Sequence, residues 1–184
     1  MASARSAGIG DGPQASHRLL TSGRIQAIMP TMAEPHTLGR LLELLAQLEG
    51  TAYDFYATLR RRYRDNRELY GTLADIMADE VDHTRVVREI TESLPGVRLQ
   101  SPVPADLIWQ IADTLDFVHG GGEALFESPE AVCQAIERVE ALEFDVVLSF
   151  VSLSEINFEF TRNYLQNQSV DHTNKIYRLI SCLD

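Results

Sequence analysis

Cysteine is scarce in this chain, and basic charge, strand-like patterning and long apolar runs are in short supply as well. Cys133 and Cys182 are the only cysteines; they are too few for a disulfide framework and form no C-x-x-C pair. Against 27 Asp and Glu stand 16 Lys and Arg, for a formal net charge of −11 and a pI near 4.8. Nucleic-acid binding rests on clustered cations, so no nucleic-acid partner is expected, whereas an acidic surface draws cations toward it. No apolar run approaches the roughly 20 residues that span a bilayer, and residues 1–14 lack the apolar core of a signal peptide. The expectation is a cytoplasmic protein with no membrane partner. No segment alternates apolar and polar residues over a useful length, which leaves an all-α chain.

With 184 residues and 45% hydrophobic content, the chain is most economically one domain with an appended end. Residues 1–35, rich in Gly, Ala, Ser and Pro, read as a flexible N-terminal arm, and residues 36–184 as a helical domain. Four long helical stretches follow the arm. The first begins at Thr37, a side chain suited to an N-cap, and runs to about Tyr63. The second is read as starting at Asp65, with Glu68 completing a capping box, and ending near Leu94-Pro95-Gly96. The third opens at Ser128-Pro129-Glu130, a cap, a first-turn proline and an acid at the positive end of the dipole. The fourth spans about Asn157 to Leu183.

The joints around Arg64 and Glu155 are short and make antiparallel hairpins, whereas Val97 to Glu127 is long enough to travel the length of a bundle. Within that crossover, Ala105–Val118 reads as a short helix ahead of His119-Gly120-Gly121-Gly122. The expected architecture is a four-helix bundle of two antiparallel hairpins joined by the crossover.

The charged residues that matter lie in the apolar seams. Glu49 interrupts a seam of Leu38, Leu42, Leu45, Ala52, Tyr56 and Leu59, and Glu80 and His83 interrupt one of Leu69, Leu73, Ile76, Val87 and Ile90. Glu140 and Glu143 lie among Cys133, Ile136, Val147 and Phe150, and His172 lies among Leu165, Ile176 and Leu179. An ionised carboxylate in such a place costs several kcal/mol unless something compensates it. A multivalent cation does so, and a mixed carboxylate and imidazole set suits iron, manganese or zinc. In Glu80-x-x-His83, side chains three apart share one face and reach a common ion.

The chain also repeats itself. Val81-Asp82-His83-Thr84 recurs as Val170-Asp171-His172-Thr173, and aligning Glu49 with Glu140 aligns Asp54 with Asp145. Two such halves would bring equivalent ligands to one centre. The halves differ at one point, because Ser169 stands where the second Glu-x-x-His motif has its glutamate.

Across about Thr37 to Leu183, this chain resembles the rubrerythrin branch of the ferritin-like superfamily, whose centre takes a Glu from each of two helices and a Glu-x-x-His from each of the others. Glu49 and Glu140 match the single glutamates, and Glu80 and His83 the first motif. Glu143 resembles the additional glutamate of rubrerythrins, and Tyr56 a tyrosine beside such centres. The resemblance implies one or two bound irons, a ferroxidase- or peroxidase-type oxidation of Fe(II) by oxygen or peroxide, and a homodimer. The missing C-x-x-C pair excludes a rubredoxin iron. The alternative is a non-catalytic bundle with a single metal or none, serving as an interaction module. A hydroxylase acting on an organic substrate would need an apolar pocket beside the metal. Taken singly, Tyr56 reads as ordinary core, Asp82 and Asp171 as solvated, and Arg60-Arg61-Arg62 as a solvated helix end. His17, His36 and His119 read as surface or loop.

Overall fold

A computed structural model describes residues 36–153 and 159–183, with side chains described for 36–142 and 170–183. The expected arm (1–35) and the joint around Glu155 lie outside the described residues. Among the described residues the fold is all-α, apart from an isolated β-bridge between Thr37 and Pro102.

Helix α1 (Leu38–Arg62) starts where the sequence indicates, with Thr37 Oγ1 accepting from the Arg40 N–H at 3.3 Å. Helix α2 (Arg67–Ser93) starts one residue later than expected. Its cap is Asn66, whose Oδ1 accepts from the N–H groups of Glu68 and Leu69, both at 3.2 Å. Asp65 takes no part, and Glu68 pairs with Arg178 instead of closing a capping box. The reason is local. The Asn66 N–H donates to the Tyr63 carbonyl at 3.0 Å, which sets the turn so that Asn66, as good a cap as Asp, occupies the extended cap position.

Beyond α2, a single turn α3 (Gly96–Leu99) leads to α4 (Ala105–Gly121). The crossover helix is longer than expected and belongs to the core. Leu107, Ile108, Ile111, Ala112 and Leu115 are buried, forming a wide apolar stripe against Leu41, Leu44 and Leu48 of α1. Gly120 and Gly121 continue the helix, and Gly122 ends it at φ +49°, a conformation that glycine takes at least cost. After a 3₁₀ turn (Gly122–Phe126) come α5 (Pro129–Leu153) and α6 (Glu159–Leu183). Ser128 caps α5 as expected, its Oγ accepting from the Ala131 N–H at 3.2 Å.

Contacts fix the helix directions. Arg60 lies over the Tyr70 ring and Glu49 lies beside His83, so α1 and α2 are antiparallel. Glu68 pairs with Arg178 and Asp79 with Lys175, so α2 and α6 are antiparallel too. The arginines at the end of α1 do more than face solvent: Arg60 covers Tyr70, and Arg62 pairs with Glu123 and covers Phe126.

Candidate metal centre

Buried apolar side chains form two clusters. One joins α1 up to Leu48, α2 from Val86 onward, α4 and Leu142. The other joins α1 from Ala52 onward, α2 up to Ile76, α5 up to Val139, and α6 from Ile176 onward. Between them lies a polar layer, with Glu49 from α1, Asp79, Glu80 and His83 from α2, Glu140 from α5 and His172 from α6. Each helix reaches the layer near its middle because its apolar seam is interrupted there by ligand-type residues.

Two triads occupy the layer. Glu49, Glu80 and His83 present ligand atoms all within 4.8 Å of one another, and so do Glu80, Glu140 and His172. Glu80 belongs to both. It is fully buried, and neither of its oxygens has a hydrogen-bond donor; Oε2 of Glu49 also lacks one. His83 Nδ1 lies 3.3 Å from Glu49 Oε2 and 3.5 Å from Glu80 Oε2, close but without hydrogen-bond geometry. The His83 and His172 rings meet edge to face, centroids 5.1 Å apart. Buried carboxylates left without donors lose several kcal/mol of solvation. A shared cation would supply what these lack.

The electrostatics agree. Burial pushes the Glu80 carboxyl well above the usual carboxylate range, and the nearby charges of Glu140, Glu49 and Asp79 push the same way. For His172, burial works against the imidazolium, but the hydrogen bond and charge of Glu140, aided by Asp79, outweigh it and raise the pKa. Both shifts favour protons at groups where a bound cation would otherwise supply the positive charge.

Around the triads sits a second set of groups. The fully buried Tyr56 hydroxyl donates to Glu140 Oε1, so Tyr56 is wired to the centre and is more than apolar filling. Glu140 Oε2 lies 2.8 Å from His172 Nε2. On the far side of that ring, Asp79 Oδ2 lies 3.1 Å from Nδ1, and Asp79 in turn accepts from Lys175. Asp79 and Lys175 escaped the sequence reading. Their only signals were position: Asp79 directly precedes Glu80, and Lys175 follows His172 by three residues.

The structure brings together Glu49, Glu80, His83, Glu140 and His172. Glu143 lies one turn beyond Glu140 on α5; its side chain, like that of Ser169, lies outside the described residues. Asp82 pairs with Arg85 and Asp171 with Lys175, both carboxylates well exposed. His36 packs edge-on against Trp109, and His119 lies exposed on the last turn of α4, 3.5 Å from Thr51 Oγ1; His17 lies outside the described residues. A cleft of about 450 Å³, lined by Gly50, Tyr53, Val81, Thr84 and Arg88 among others, ends against Glu80. The Glu80 side chain itself is fully buried. No helix of the described residues is long and apolar enough to cross a membrane. No family model, curated protein or solved structure matches the chain.

Proposed function

We propose that this chain is a ferritin-like metal protein that holds two ions, iron first and manganese or zinc as alternatives, between its apolar clusters, and oxidises Fe(II) with oxygen or peroxide. The observation that carries this reading is Glu80, a fully buried carboxylate common to both triads with neither oxygen served by a donor. One carboxylate has two oxygens to share between two ions. Glu49 and His83 would complete one ion's set, and Glu140 and His172 the other's. Antiparallel pairing of α1 with α2, a short α1–α2 joint and the contact of α2 with α6 support the ferritin-like arrangement of two hairpins, with α4 carried on the crossover.

Iron held there would supply electrons for the reduction of oxygen or peroxide. The chain's own part is to compensate the ions' charge with Glu49, Glu80 and Glu140, to orient His83 and His172, and to hold a proton on Tyr56 at the Glu140 oxygen. A homodimer in the cytoplasm is the expected setting.

Anaerobic reconstitution with Fe(II) tests the reading. Two irons per chain are expected in the wild type, and Glu80→Ala is expected to lose both. One iron per chain would favour the single-metal alternative, and none would overturn metal binding altogether. Equal rates of Fe(II) oxidation by wild type and Glu80→Ala would remove the enzymatic claim.

A further inference from the structure

We infer that Lys175 is a positioning residue for this centre: through Asp79 it fixes which nitrogen of His172 faces Glu80 and Glu140. The inference deepens the proposed metal-binding function and rests on it. Lys175 Nζ lies 2.9 Å from Asp79 Oδ1 and 2.8 Å from Asp79 Oδ2, so one ammonium engages both oxygens. It also lies 2.9 Å from Asp171 Oδ2, one turn back on its own helix, which holds the ammonium from the outside. Asp79 cannot then rotate freely about its carboxyl bond.

The consequence falls on the imidazole. Asp79 Oδ2 is 3.1 Å from His172 Nδ1, and an ionised carboxylate only accepts, so Nδ1 carries the hydrogen whenever an ion holds Nε2. The other nitrogen, Nε2, lies 2.8 Å from Glu140 Oε2 and 3.7 Å from Glu80 Oε1, within the triad. Only a nitrogen without a hydrogen can offer its lone pair to an ion. A buried carboxylate behind a ligand histidine sets that ring's tautomer and orientation and raises its basicity. Asp79 alone would face the negative charges of its neighbours in the layer, among them adjacent Glu80, and would gain by turning toward solvent. The Lys175 ammonium removes that incentive.

The competing account is an ordinary ion pair at the edge of the protein, contributing little to stability and nothing to the centre. The two accounts separate on His172. Lys175→Met and Lys175→Arg would be made in the full chain, with Lys175→Gln as a neutral substitute should the methionine variant fail to fold. Ring-nitrogen NMR on Zn(II)-loaded protein reads which nitrogen keeps the hydrogen, and titration with Zn(II) reads affinity. The wild type is expected to show Nδ1–H alone. Lys175→Met is expected to show both tautomers and to bind Zn(II) about 10–100-fold more weakly, and Lys175→Arg to restore most of both. Wild-type tautomer and affinity in Lys175→Met, with only thermal stability lowered, would overturn the inference. A wild type that bound no Zn(II) would overturn the proposed function and this inference with it, whereas normal wild-type binding with an unaltered Lys175→Met overturns the inference alone.

Discussion

Tyr56 of α1 donates its hydroxyl hydrogen to Glu140 of α5, and the other oxygen of Glu140 lies 2.8 Å from His172 of α6. Three helices thus meet through one carboxylate in the layer between the apolar clusters. The tyrosine ring packs in the cluster that holds Leu69, Ile136 and Leu179, edge-on against Phe55, and its hydroxyl belongs to the polar layer.

Tyr56→Phe isolates that hydroxyl, because it keeps the ring and removes one donor. A hydrogen bond to a charged group contributes about 1.5–3 kcal/mol. Urea unfolding of metal-free protein should show a loss in that range with little change in the urea dependence of the unfolding free energy. A loss below about 0.5 kcal/mol, the level of an indifferent substitution, would mean that Glu140 is equally well served without the phenol.

Glu80 and His172 make the metal-free protein pH-sensitive in one direction. Glu80, raised above its ordinary 4.5, binds a proton in the folded state over a range where the unfolded chain has released it. Its contribution is fully present below that ordinary value and is lost as pH rises through the folded value. His172, raised above 6.5, acts with the same sign in its own range. Metal-free stability should therefore fall as pH rises from about 4.5, and Glu80→Gln should flatten the acidic part of the fall. A wild type whose stability climbed with pH across this range would contradict the shifts.

Metal binding should reverse that weakness. An ion present at about 100 times its dissociation constant stabilises by about 2.7 kcal/mol, which for a chain of this size raises Tm by about 5–10 °C. Calorimetry with and without Zn(II), followed by a chelator, should show the rise and its loss. In Glu80→Ala neither should occur. An equal rise in that variant would place the ion elsewhere.

Much of this was legible in the sequence because period and residue type speak plainly at mid-helix. Glu49, Glu80 and His172 interrupt regular apolar seams, and all three are buried in one layer. What was not legible depended on geometry between helices. Nothing in the spacing of Asp79 says that it turns toward α6 while Glu80 turns inward, and a buried Tyr56 looks the same with or without a partner for its hydroxyl. The cap of α2 was misread for a local reason, since Asp65 and Asn66 are equally good caps and the turn geometry chooses between them. Asn66→Ala should therefore cost about 1 kcal/mol and Asp65→Ala little; the reverse order in thermal unfolding would restore Asp65 as the cap.

Ser169 gives the last prediction. By spacing it stands where the second motif has its glutamate, which made the His172 half look stripped. Glu80, reaching across from α2, nonetheless forms with Glu140 and His172 a triad that could hold an ion. Ser169→Glu should then leave the stoichiometry unchanged at about two ions per chain while tightening binding. It should also weaken the metal-free protein, since one turn before His172 it adds a like charge to those of Glu49, Asp79, Glu80 and Glu140. A metal titration paired with urea unfolding reads both effects. A rise from one ion to two would mean that Glu80 alone does not hold the second ion. No change in either quantity would mean that position 169 does not face the centre.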